Sequence, residues 1–181
     1  MLNTTLCYIE QNGKYLLLHR IKKKNDISKD KWIGIGGKFL EQESPEDCIM
    51  REALEETGLT LVEPEYRGIV TFICDKMNET EFMHLFVAKK WTGEIKTCDE
   101  GVLEWVPMED VEKLPHWEGD LIFLKLLQQN APFFSLKLTY KSDQLQQAIL
   151  NGKVIRWFLG KKVPNKAKWE FLFQKKFMVL E

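Results

Sequence analysis

Residues Gly37–Leu59 read GKFLEQESPEDCIMREALEETGL, and the rest of the chain is organised around them. Ser44 can cap a helix whose first residue is Pro45, a favoured start because the missing N–H of proline lies where no helical partner exists. Neither Pro nor Gly then interrupts the chain until Gly58, an ordinary residue just past a helix end. The pattern predicts a helix over 45–57. On that helix Glu52, Glu55 and Glu56 share one face, because residues three and four apart are neighbours. Ile49, Ala53 and Leu54 supply apolar contacts toward a core. Three carboxylates on one face repel each other, and a divalent cation would relieve the repulsion; hard oxygen donors suit Mg²⁺, with Mn²⁺ as a substitute. A solvated acidic helix face is the plainer meaning of the same three residues.

The whole spacing carries more than the cluster does. Gly37 is followed after five residues by Glu43, and after seven more by Arg51-Glu52; Glu55-Glu56 and Gly58-Leu59 complete the series. This pattern, G-x5-E-x7-R-E-U-x-E-E-x-G-U with U a bulky aliphatic residue, resembles the signature of the Nudix hydrolases. Ala53, a small residue at the first U, is the one soft departure, and it touches no ligand position. The resemblance implies an α/β/α sandwich around a mixed sheet. It also implies a metal site drawn from Glu52, Glu55 and Glu56, with the backbone carbonyl of Gly37 as a further ligand. Arg51 and Glu43 are better read as a pair that fixes the loop to the helix than as chemistry, with Gly58 closing the helix. Lys38 could contact a phosphate, although exposure to solvent is the simpler view.

Composition sets the outer limits. A chain of 181 residues with net charge −1 can bury one domain and is no generic polyanion binder. No apolar run approaches the length of a membrane span, and Met1–Glu10 lacks the basic start and apolar core of a secretory signal. Cys7, Cys48, Cys74 and Cys98 are scattered without a CxxC pair, which fits reduced thiols and a cytoplasmic location.

In chain order, Asn12-Gly13 between two β-prone runs predicts a hairpin. Ile21–Lys31 reads as a polar loop, and Trp32–Phe39 as a strand in which Gly34, Gly36 and Gly37 signal close backbone approach. Thr60–Val62, Gly68–Cys74 and Glu81–Lys90 read as strands, the last apolar on both faces, with His84 a satisfied strand side chain rather than a ligand. Trp91–Gly93 reads as a turn, Leu103–Val106 as a strand, Glu109–Leu114 as a helical turn, Trp117–Gln129 as an amphipathic helix and Phe133–Tyr140 as the last strand. Strands interleaved with two main helices suggest the same sandwich that the resemblance implies.

Beyond the helix, Asp99-Glu100 precedes a strand. In the family an acid there often completes the metal site or serves as base, which points to Glu100, with Asp99 second. His116-Trp117-Glu118-Gly119-Asp120 resembles a segment of the MutT-type branch that hydrolyses oxidised purine nucleoside triphosphates. There a Trp stacks on the purine and nearby acids bind its edge, roles that would fall to Trp117 and Asp120. Gly119 stands where a second acid can occur, and Ile33 where a purine-contacting Asn can occur. A Trp at a helix start packed on the core is the plainer reading of Trp117.

The resemblance covers about residues 3–141. It implies metal-dependent cleavage to a nucleoside monophosphate and pyrophosphate, with 8-oxo-dGTP the leading substrate. A Nudix pyrophosphatase of ADP-ribose or a dinucleotide, and a non-catalytic nucleotide sensor, are the alternatives. Residues 142–181 form a separate extension; from Asn151 on it carries eight basic residues against two acidic ones and is rich in aromatics. It is expected to pack on its own domain or to mediate a homodimer. An RNA-directed use of those basic and aromatic residues is the further alternative, and nucleic acid the less favoured partner.

Overall fold

The computed structural model describes residues 1–22 and 26–155. Most of the basic, aromatic C-terminal stretch therefore lies outside the described residues. The hairpin forms as expected: β1 (Leu2–Gln11) and β2 (Lys14–Arg20) pair antiparallel, with Asn12 and Gly13 both at positive φ in the connecting turn. A right-twisted hairpin favours such a turn, and Asn-Gly adopts it at low cost.

β1 then pairs parallel with β6 (Glu81–Ala88), β6 antiparallel with β5 (Glu65–Cys74), and β5 parallel with β9 (Phe134–Lys141). β10 (Gln144–Leu150) and β11 (Lys153–Ile155) extend that edge. At the other side β2 carries β8 (Gly101–Pro107) and the two-residue β3 (Trp32–Ile33). A separate ribbon joins β4 (Leu59–Leu61) to β7 (Trp91–Gly93).

One helix lies on each face of the mixed sheet. α1 (Pro45–Thr57) packs Ile49 and Ala53 against Cys7, Ile9, Leu16 and Leu18. α2 (Asp120–Gln128) packs Ile122, Phe123, Leu126 and Leu127 against Leu6, Tyr8, Leu17 and Leu85. Alternate residues of β1 thus feed opposite cores, which is why this central strand is apolar on both faces. The α/β/α sandwich is the fold of the protein. Among the described residues no helix is long and apolar enough to cross a membrane.

Four expectations need correction. Trp91–Gly93 is a strand, because Leu61 finds its partner in Trp91 and the Trp91 ring packs on Trp105 at 5.6 Å. Phe133–Tyr140 is not the last strand, since β10 and β11 follow it; the Asn151-Gly152 turn between them, both residues at positive φ, repeats the hairpin signal of residues 12 and 13. Trp117 precedes α2 rather than starting it. The Trp32–Phe39 strand shrinks to two residues plus isolated bridges from Ile35 and Lys38 to β1. Its glycines do mark close approach: a Cβ on Gly36 would sit 2.1 Å from the Thr5 carbonyl oxygen.

α1 is strongly delimited. The Ser44 hydroxyl accepts from the Asp47 N–H at 3.1 Å, and the Asp47 carboxylate accepts from the Ser44 N–H at 3.0 Å. Gly58 ends the helix at φ +79°, where its N–H reaches the Leu54 carbonyl at 3.0 Å and a Cβ would lie 2.6 Å from the Glu94 carbonyl oxygen. Ser44→Ala should cost about 1 kcal/mol of stability. Gly58→Val combines a left-handed φ with a backbone collision and should cost about 2–4 kcal/mol. Urea denaturation midpoints should rank them in that order; a Gly58→Val protein as stable as Ser44→Ala would show that neither constraint is felt.

Candidate active site

The turn from β3 into α1 is a loop pinned by one guanidinium. Arg51 donates from Nε to Glu43 at 2.6 Å and from Nη2 to the other Glu43 oxygen at 3.0 Å, a two-pronged pair. The same guanidinium reaches Glu52 at 2.7 Å, Glu55 at 3.0 Å and the Lys38 carbonyl at 3.0 Å. Bonding to Arg51 holds the Glu43 carboxyl down to about 2.

Glu52 and Glu56 leave α1 toward a cavity of about 600 Å³, which Glu100, Gly36, Gly37 and Lys38 also line. The structure brings these residues together. Glu55 does not line the cavity: it is 60% exposed and points to solvent beside Arg51. Gly37 presses so closely on Glu52 that a Cβ would lie 2.5 Å from its carboxylate. The Gly37 carbonyl accepts from the Thr5 N–H at 2.8 Å and from the Cys48 thiol at 3.7 Å. Glu100 is held at 2.9 Å by Arg20, whose Nε also reaches Asp26 at 2.5 Å. Asp99 lies on the same loop, outside the cavity lining.

Glu56 is the strained member of the set. It is 7% exposed and takes the Gly36 N–H at 3.1 Å. Burial pushes its carboxyl up to about 8, and the Glu100 and Glu52 charges push the same way. Among the described residues six acids line the cavity (Asp26, Glu52, Glu56, Glu81, Glu100, Asp120) against two cations, Arg20 and Lys38. Added positive charge would ease the approach of an anionic ligand to such a wall. The donors are carboxylates, the set that suits a hard divalent cation, so the residues fit one. Among the described residues no three acids, histidines or cysteines converge closely enough to enclose it; Arg51 Nη1 takes both Glu52 and Glu55, and Arg20 takes Glu100.

Trp117 and Asp120 line the same cavity. Trp117 packs on the core, as the plainer reading has it, at the wall of the cavity. The ring is 5% exposed and meets Phe72 and Tyr140 edge-on at 5.3 and 5.1 Å, while Nε1–H donates to the Ser28 hydroxyl at 3.0 Å. The Lys31 ammonium lies 4.5 Å from its ring centre. Asp120 is buried, and burial pushes its carboxyl up to about 8 against a backbone bond from Trp117 and the Lys31 charge. Gly119 has no room for an acid: a Cβ there would lie 2.6 Å from both the Leu138 side chain and the Tyr140 hydroxyl. Ile33 also lines the cavity. His84 accepts or donates one bond, between Nδ1 and the Tyr66 hydroxyl at 2.5 Å, as a satisfied strand residue.

Arg20, Ser28 and Glu81 were not foreseen as site residues. Glu81 had a signal, a carboxylate at the head of an otherwise apolar strand. Arg20 and Ser28 had none, since each is one polar residue in or beside a polar loop.

Comparison with known proteins bears on the family and the fold. The NUDIX domain profile matches residues 2–127. An uncharacterised Nudix hydrolase of Bacillus subtilis, YvcI, is 31% identical over 143 residues, covering 77% of this chain and 87% of its own. An oxidized purine nucleoside triphosphate hydrolase of Danio rerio is 34% identical over 134 residues, covering 71% and 81%. The crystal structure of a mutator MutT protein from Bacillus halodurans superposes with a TM-score of 0.73 at 28% identity, over 84% of this chain and 99% of that one. The chain belongs to the NUDIX domain family and is a MutT-type Nudix hydrolase acting on nucleotide substrates.

Proposed function

We propose that this enzyme hydrolyses oxidised purine nucleoside triphosphates, 8-oxo-dGTP foremost, to the nucleoside monophosphate and pyrophosphate, and so cleanses the nucleotide pool. One observation carries the reading: a single cavity is lined both by the motif glutamates Glu52 and Glu56 and by Trp117 and Asp120. The Danio rerio relative, itself an oxidized purine nucleoside triphosphate hydrolase, supports the same substrate class.

Glu52, Glu55 and Glu56, with Glu100 and the Gly37 carbonyl, would hold Mg²⁺, or Mn²⁺ in its place. When bound, the ion offsets phosphate charge and lowers the pKa of a water. Glu55 reaches the site only by leaving Arg51. One carboxylate of this set takes the proton of the attacking water. Lys38 meets a phosphate, and Arg51 and Glu43 keep loop and helix in register. Trp117 stacks on the purine, and Asp120 binds its edge. Residues 1–141 form the catalytic unit and 142–181 an extension that packs on it or joins a homodimer; the addition of β10 and β11 to the sheet supports the first use. Four free, buried cysteines support action in a reducing cytoplasm.

Glu56→Gln and Glu55→Gln should each lower kcat on 8-oxo-dGTP with Mg²⁺ at least 100-fold, about 2.7 kcal/mol of barrier. Turnover retained in either variant removes that residue from the set.

Stability gives a second test. The folded-state pKa of Glu56 and of Asp120 is raised to about 8, above the unfolded values of 4.5 and 3.8. The folded state therefore binds more protons between those limits. Metal-free protein should be most stable below about pH 4 as far as these two groups act, and lose that stability as pH rises to about 8, by up to about 1.4 kcal/mol per pH unit for each proton of difference. Asp120→Asn should flatten the slope, and Mg²⁺ should restore stability at pH 8; melting curves that are flat from pH 5 to 8 would contradict both shifts.

Trp117→Ala should cost about 3–5 kcal/mol of stability because the ring is buried, besides its effect on substrate. Trp117→Phe keeps an aromatic face, and should keep purine turnover within about tenfold while the alanine variant loses more. Equal turnover of the two variants would sink the stacking role.

A further inference from the structure

Glu81 lines the same cavity as Trp117 and Asp120 but has no task in the function just proposed. It opens β6 directly opposite Phe72 of β5, and the Phe72 ring stands edge-on to Trp117 at 5.3 Å. A base stacked on Trp117 would thus have Glu81 within the same aromatic corner. One Glu81 oxygen accepts from the Thr4 hydroxyl at 2.8 Å, its one side-chain hydrogen bond among the described residues. The other oxygen is left for a ligand. Burial raises this carboxyl, and the charges of Lys38 and Arg20 oppose the rise without pairing with it. A mere pin between β1 and β6 needs only an acceptor for Thr4, which an uncharged amide would supply without the desolvation cost of a carboxylate.

We propose that Glu81 is a specificity-determining residue that reads the imidazole edge of an 8-oxopurine nucleotide. The proposal rests on the substrate class given above. In an unmodified purine N7 is an acceptor. Oxidation at C8 turns N7 into an N–H donor. The free Glu81 oxygen accepts from that N–H, whereas against the parent base it meets a lone pair with a lone pair. A site built for a hydrogen bond rejects the analogue that cannot make it, because its own polar group is left unpaired. Asp120, on the α2 side of the cavity, serves the opposite edge of the base.

Metal-free calorimetric titration with 8-oxo-dGMP and dGMP tests this. The wild-type protein should bind 8-oxo-dGMP at least tenfold tighter than dGMP. In Glu81→Gln, whose amide can turn an N–H to an unmodified N7, that ratio should fall at least tenfold with the melting temperature within about 2 °C. Glu81→Met, which keeps volume and loses polarity, should lower the ratio too and serves if the amide variant is unstable. Thr4→Val removes the pin and keeps the carboxylate, so it should retain the ratio within threefold. A wild-type ratio near one, an unchanged ratio in both Glu81 variants, or an equal loss of affinity for both nucleotides overturns the role of Glu81 and leaves the proposed function standing. A wild-type protein that neither binds the monophosphates nor hydrolyses purine nucleoside triphosphates overturns both.

Discussion

Like charge is the governing constraint of this molecule. The motif stacks acids along one side of α1, and the fold must hold them there before any ligand arrives. Arg51 does most of that work. Its five N–H groups are spread over Glu43, Glu52, Glu55 and the Lys38 carbonyl, so one side chain both neutralises the helix face and ties the preceding loop to it. Lysine has no planar fork and could not serve loop and helix at once. Arg20 repeats the device on the far wall, bridging Asp26 and Glu100. Each guanidinium gathers acids onto itself, and so engages carboxylates that a cation would otherwise hold. The same contacts that keep the cation-free form folded therefore set how far the carboxylates must move to converge.

The mixed sheet explains why this cluster faces a cavity at all. β1 runs parallel to β6 and antiparallel to β2, so its first residues have β6 on one side and only the glycine-rich approach to α1 on the other. Gly36 lets that approach come within reach of the Thr5 carbonyl, and Gly37 then lets Glu52 close over it. Any side chain at either position would push α1 off the sheet. Helix capping at Ser44 and Gly58 sets the limits of α1, and the glycines set its distance.

Much of this was legible in the residues. The Pro45–Thr57 helix, the Asn12-Gly13 hairpin and the two-faced burial of β6 follow from local rules, since capping, turn chemistry and alternation act over a few residues. β7 escaped because its pairing with β4 is decided by a partner thirty residues away, which overrides the turn-like look of Trp91–Gly93. β10 and β11 escaped although the Asn151-Gly152 signal was present, because a register shift between Leu145 and Gln147 breaks the apolar alternation of β10. At the site, the glutamates sit on one helix and share a face by spacing alone. Glu81, Arg20 and Ser28 join them only through sheet register and loop packing, which no spacing encodes. The outward turn of Glu55 is likewise a property of Arg51's reach, not of helix geometry.

Two buried acids of the one cavity are set apart by their neighbours. Both Glu56 and Asp120 are driven toward the neutral form by burial. Glu56 also feels Glu52 and Glu100, so a cation shared with those carboxylates removes the repulsion and favours its ionised form. Among the described residues, what acts on Asp120 besides burial are the stabilising contacts from Trp117 and Lys31. A cation among the glutamates therefore changes Glu56 far more than Asp120. Below about pH 8 burial thus favours the neutral form of Asp120, whereas a cation beside the glutamates would favour ionised Glu56. Environment alone assigns the two roles to chemically similar groups, and it does so because one acid belongs to a cluster and the other stands among aromatic rings.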